Sequence, residues 1–254
     1  MRKQIMTTVA AVLFVVGIGL ANEAHGAGAC NLQTIKGNYA GLVIGTIPGI
    51  PLGVAGSPTV TFDGVGNFTG KDVGLFGGFP NNSTTTGSYT VEADCSGTLT
   101  TTFDNGFTVP SRITISDNGA EISMLITFPG EAGTGTFRRV GGPCSLQTIK
   151  GSYAGFVKGE IPGVPLGVQG APVTTFDGAG NFTDSDAVVF GGNLFPGLSS
   201  AGTYTVNSDC TGTLDHGGSI MRLLIVDNGK EIFGLVTDVG PLPPQVTTAD
   251  WKRQ

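Results

Sequence analysis

Twelve residues near the start of this chain return in its middle. Cys30-Asn-Leu-Gln-Thr-Ile-Lys36-Gly-Asn-Tyr39-Ala-Gly41 is matched by Cys144-Ser-Leu-Gln-Thr-Ile-Lys150-Gly-Ser-Tyr153-Ala-Gly155. Aligned without a gap, residues 30–79 and 144–193 agree at 33 of 50 positions. The repeat divides the chain into a module over 30–140, a short linker at 141–143 and a second module over 144–254. Each module has about 110 residues, enough to bury a core alone. A linker that short predicts barrels that touch. A residue kept in both copies serves the common fold or a common site, or has not had time to drift. A residue that differs is free, or serves the contact between the copies.

Glycine makes up 43 of the 254 residues, and only 13% are charged. With short apolar runs and abundant threonine, this predicts an all-β chain with many tight turns. Turn signals recur in both copies: Phe62-Asp-Gly-Val-Gly-Asn-Phe68 with Phe176-Asp-Gly-Ala-Gly-Asn-Phe182, Asp94-Cys-Ser-Gly97 with Asp209-Cys-Thr-Gly212, and Asp117-Asn-Gly119 with Asp227-Asn-Gly229. The last reads as a type I′ hairpin turn. In copy one the strands are expected near 37–47, 57–63, 66–76, 87–93, 97–103, 107–116, 120–128 and 134–140. Seven or eight antiparallel strands in succession predict two tandem up-and-down β-barrels, since closure removes exposed edges. Two β-sandwiches are the alternative.

Residues 1–29 read as a secretory signal peptide: Arg2 and Lys3, an uncharged apolar run from Thr8 to Leu20, then small residues. The expected location is secreted or periplasmic, with no stable membrane insertion. Cys30 follows the apolar run too distantly for a lipid anchor, and Cys144 takes its place in copy two, where no lipid could be added. Duplication favours disulfides that close each module on itself, Cys30–Cys95 and Cys144–Cys210. A formal net charge of −6 without a basic patch argues against nucleic acid.

The repeat also separates inside from outside. Tyr39, Gly41, Val43 and Gly45 alternate on one face of the first strand and are all kept, whereas Ile44 becomes Lys158 and Thr46 becomes Glu160. The kept face should point inward. Its glycines leave room for aromatic rings or for a ligand. On the hairpin around Asp117, Thr114, Ser116 and Ser123 become Leu224, Val226 and Phe233. That apolar face of module two is expected to pack on module one or on another chain.

Chemistry is sparse. The two histidines are His25 and His216, so no histidine mechanism is shared by the copies, and a Ser-His-Asp site around His216 is not expected. Zinc is not expected, since Cys-x-x-Cys spacing is absent, and the Asp-Gly-x-Gly-Asn turns lack the ligand pattern of a calcium loop. No cofactor or metal is implied. Asp72 and Asp186 are kept and share a face with Phe68 and Phe76, or Phe182 and Phe190. Such a carboxylate is either a polar anchor in an apolar pocket or is turned out by a bulge. With Tyr39, Tyr89, Tyr153 and Tyr204 these are the candidate ligand-binding residues, the tyrosines reading equally as core. The apolar loop Ile47–Val54, kept as Ile161–Val168, either caps a barrel or lines a ligand mouth.

Gly87-Ser-Tyr-Thr-Val91, Asp94-Cys-Ser-Gly-Thr-Leu99 and Phe62-Asp-Gly-Val-Gly-Asn-Phe68 resemble a group of uncharacterised secreted bacterial tandem-repeat proteins. That group is similar to the calycin-type barrels related to allene oxide cyclase. The resemblance covers both modules and implies an eight-stranded barrel with an apolar interior. Its motifs are turns, and no catalytic set carries over, so cyclase activity is not implied. The expected function is non-enzymatic binding of a small apolar ligand, the alternatives being a structural or surface-interaction module and, behind it, a cyclase-like isomerase.

Overall fold

The computed structural model describes residues 29–238, 240 and 245–254; the expected signal peptide lies outside them, except for Ala29. Each copy is one closed antiparallel sheet. Copy one contains β1 (Gly37–Thr46), β2 (Val54–Gly56), β3 (Thr59–Phe62), β4 (Asn67–Phe76), β5 (Phe79–Val91), β6 (Ser96–Phe103), β7 (Thr108–Ser116), β8 (Glu121–Ile126) and β9 (Ala132–Arg139). Copy two repeats them as β10 (Gly151–Glu160), β11 (Val168–Gly170), β12 (Val173–Phe176), β13 (Asn181–Phe190), β14 (Asn193–Val206), β15 (Thr211–Asp215), β16 (Ile220–Val226), β17 (Glu231–Asp238) and β18 (Val246–Arg253).

Closure is made by β1 on β9, from Tyr39↔Arg139 to Thr46↔Ala132, and by β10 on β18. An open sandwich is thereby excluded. The ninth strand has a simple origin. β2 and β3 both pair with β1 and with β4, in consecutive stretches. They are two halves of one barrel strand, broken at Ser57-Pro58, where proline cannot donate to the ladder. The result is an eight-stranded barrel with one extra strand segment.

Two local expectations change. β5 starts at Phe79, well before the expected residue 87, and its polar first half pairs with β4 throughout. Gly77 and Gly78, with φ of 60° and 85°, supply the two-residue turn that permits this long hairpin. The turn after β7 is not a two-residue type I′ turn. Ser116 pairs with Glu121, and Asp117, Asn118 and Gly119 all have positive φ in a four-residue loop.

One end of each barrel is sealed. A short 3-10 turn, Leu32–Ile35, is held by reciprocal Asn31 and Thr34 side-chain bonds and puts Ile35 in the core with no exposure. Cys30–Cys95 and Cys144–Cys210 pin these N-terminal turns to the barrel walls, with Cα atoms 5.0 and 4.9 Å apart. On the chain-entropy model a loop of this length adds about 4 kcal/mol. Disulfides fit an extracellular or periplasmic protein. Among the described residues no helix is long and apolar enough to cross a membrane.

Between the barrels, Leu224, Val226 and Phe233 are buried with Ala40, edged by Leu42 and Val140. Leu235 joins Ala55 and Leu75 in a neighbouring cluster. Arg138 of β9 pairs with Glu121 at 2.6 Å and with Glu231 of β17 at 2.9 Å.

Candidate functional site

The interior of the first barrel is divided in two. Its sealed half is aromatic: Phe62 meets Tyr39, Phe68 and Tyr89 with ring centroids 5.5, 5.6 and 5.0 Å away. The four candidate tyrosines belong to this half or its counterpart. The Tyr39 hydroxyl donates to the Gly119 carbonyl, and the Tyr153 hydroxyl to that of Gly229. Tyr89 Oη accepts from Gly64 N–H at 2.9 Å and donates to the Leu32 carbonyl at 3.2 Å; Tyr204 does the same with Gly178 and Leu146. Burial pushes the Tyr39 phenol up to about 12 despite nearby Arg139. These side chains latch the terminal turn to the barrel floor, which explains their retention in both copies.

The other half of the first barrel is open. A cavity of about 240 Å³ lies above Phe68, Leu99, Met124 and Phe137, walled by Val43, Val54, Val109 and Ile126. Ile47, Phe76, Phe103, Phe107 and Glu131 line its outer part. The apolar loop Ile47–Val54 therefore contributes its two ends to the mouth. Inward Gly41 is not itself free space, because a Cβ there would meet the Phe137 ring at 2.6 Å. Of the six candidate site residues, Asp72 alone lines this cavity, with Thr85, Thr101 and Ser111 as polar neighbours.

Asp72 sits beside the strand break. A Cβ on Gly56 would lie 2.8 Å from its Oδ1. Burial raises its pKa to about 6, against the lowering influence of Arg222 from the second barrel and the Ser57 backbone N–H. Asp186 occupies the equivalent break, where its Oδ1 accepts the Ala171 N–H at 2.9 Å, and its pKa is raised by burial. A register shift follows it between Asp186 and Val188. Bracing the break is a structural reason for keeping both carboxylates.

The second barrel carries larger side chains at the corresponding positions. Trp251 replaces Phe137, Met221 replaces Ser111, and Ala249 replaces Gly135, all within one buried cluster. Gly234 makes the space: a Cβ there would lie 2.4 Å from Met221 Sδ and 2.8 Å from the indole. His216, in place of Thr101, stacks edgewise on Phe182 at 4.8 Å and lies 3.3 Å from Ser200 Oγ through Nδ1. Asp184, opposite Ser200 in the sheet, accepts from Thr174 Oγ1 at 3.0 Å. This polar group was hidden from sequence reasoning because copy one has Val60, Gly70 and Thr101 at its positions. Among the described residues, no three His, Cys, Asp or Glu side chains are placed to hold a metal.

No protein-family model matches the chain, and no curated protein matches it. Two solved structures share broad likeness. One is a protein of unknown function from the DUF3598 family of Nostoc punctiforme PCC 73102, with 10% identity and a TM-score of 0.29, covering 89% of this chain and 99% of that one. The other is CghA, with 12% identity and a TM-score of 0.27, covering 85% of this chain and 88% of that one.

Proposed function

We propose that this is an exported binding protein whose first barrel holds a small apolar molecule while the second is a filled structural companion. The observation that carries this reading is the contrast between equivalent positions, where Ser111 and Phe137 border a cavity of about 240 Å³ and Met221 and Trp251 are packed in a continuous core. An apolar cavity of ~150 Å³ stays dry and takes up benzene, so a larger one has room for a bigger hydrocarbon. The signal peptide over residues 1–29 belongs to the same proposal. So does a fixed pairing of the barrels through the Leu224, Val226 and Phe233 face.

The test grafts the second barrel's interior into the first. Butylbenzene should bind the wild-type chain, and Ser111→Met with Phe137→Trp and Met124→Gly, the last making the room that Gly234 makes in the second barrel, should abolish that binding while far-UV circular dichroism is unchanged. Equal binding by both chains would refute the assignment, as would no binding by either. Native mass spectrometry of protein purified from its source, seeking a co-purifying small molecule, identifies the occupant. A surface-interaction module is the second reading, favoured by the exposed apolar side chains Phe156, Leu166 and Leu194, which are 74%, 77% and 64% accessible.

A further inference from the structure

Two oxygens in the wall of the first barrel lack partners. Asp72 Oδ1 and Ser83 Oγ are both shut off from water without a hydrogen-bond partner, although the Ser57 N–H still favours the Asp72 carboxylate as a whole. Asp72 and Ser83 stand directly opposite each other on β4 and β5, and such cross-strand neighbours have β-carbons ~5 Å apart on one face of the sheet. Leaving buried acceptors unpaired costs about 1–3 kcal/mol each, so this is an expensive arrangement for an empty barrel. At this pair of positions it is confined to copy one, although the second copy has buried unpartnered atoms elsewhere, at Thr247 Oγ1, Asp250 Oδ1 and Trp251 Nε1. Asp186 faces Leu198 across the equivalent hairpin, and its Oδ1 is satisfied by the Ala171 N–H.

Asp72 lines the cavity, and Ser83 stands across from it in the sheet, outside the lining itself. Scaled from the ~150 Å³ that accommodates benzene, that cavity holds about ten non-hydrogen atoms. The group that best completes the two oxygens is an ammonium, which has three donors, no acceptor and the opposite charge to a carboxylate. We propose that the cavity takes a small apolar primary amine, its ammonium between Asp72 and Ser83 and its hydrocarbon among Phe68, Leu99, Val109 and Phe137. This rests on the reading of the first barrel as a ligand site and adds the chemistry of the ligand's head. The charged groups acting on Asp72 are set by the same geometry. Arg222, on the β16 face that packs against the first barrel, opposes a cation, and Glu131 at the mouth favours one. With Arg222 near, the gain from the carboxylate is moderate.

The probes are 3-phenylpropylamine and its isostere butylbenzene, titrated against the full chain by calorimetry or NMR. At pH 7.5, Asp72→Asn should weaken the amine by about tenfold relative to butylbenzene, one carboxylate contact's worth. In the wild type, lowering the pH from 7.5 to 5 protonates Asp72 and should weaken the amine by about the same factor. Butylbenzene should not weaken over that range. If butylbenzene binds but the amine responds neither to the substitution nor to pH, the amine assignment falls and the apolar site stands. If neither probe binds, both fall. The pH titration of the wild type decides the matter even where Asp72→Asn fails to fold.

Discussion

Removing the charge of Asp72 should stabilise the ligand-free protein at neutral pH. The carboxyl lies mostly within the barrel, and burial lifts its pKa from 3.8 to about 6. Folding therefore favours the protonated form. Below pH 3.8 both states are protonated and the group costs nothing. Between pH 3.8 and 6 the unfolded chain ionises first, and stability falls as pH rises; above 6 the whole penalty is present. The interval spans about two pH units, and at ~1.4 kcal/mol each the penalty approaches 3 kcal/mol. Asp72→Asn keeps the shape and removes the penalty. Urea unfolding followed by circular dichroism should give the two chains similar stability at pH 3.5. At pH 7.5 the variant should be more stable by about 2–3 kcal/mol. Parallel stability curves across this range would refute a desolvated Asp72, and with it the claim that its carboxylate lies in the apolar wall.

Two further perturbations address the frame around the cavity. Tyr39→Phe deletes one bond to the Gly119 carbonyl, which still accepts from Arg139, and should cost about 0.5–1.5 kcal/mol in denaturant unfolding; unchanged stability would mean the latch is not used. Leu224→Ser with Phe233→Ser empties the cluster that also holds Ala40. Removal of a large buried apolar side chain costs about 3–5 kcal/mol, here drawn from the contact between barrels. Small-angle scattering should show a longer particle with circular dichroism unchanged, whereas unaltered dimensions would dismiss that contact.

The repeat made much of the fold legible. Alternation of kept and drifting residues on β1 separates Tyr39, which is fully buried, from Ile44, which is exposed. The matched cysteine spacing points to the disulfides that form. Residues 79–86 escaped notice because Pro80, Asn81 and Asn82 have weak strand preference, and pairing with β4 overrides it. The site was legible only in part, for a physical reason. Retention in both copies selects groups the fold itself needs, such as tyrosines tied to backbone carbonyls and carboxylates bracing a broken strand. What distinguishes the two interiors lies in the differences: Ser111 against Met221 and Phe137 against Trp251.

The proposed contact between the barrels would join unlike faces of like modules. The strand pair that presents Leu224, Val226 and Phe233 belongs to copy two, and the surface receiving it, with Ala40, Leu42, Ala55 and Leu75, belongs to copy one. Such a head-to-tail union has no symmetry to close it and can in principle add a third barrel, then a fourth, into a fibre. The corresponding surface of copy two keeps an apolar group in Phe156, which stands at the position of Leu42 and is largely exposed, but has Gln169 where copy one has Ala55. What stops the growth is chemical. The corresponding hairpin of copy one carries Thr114, Ser116 and Ser123, so an arriving chain offers only the exposed Leu125, at the position of Leu235, as an apolar edge. Restoring Leu, Val and Phe at those three positions would turn a self-limiting pair into a polymerising subunit.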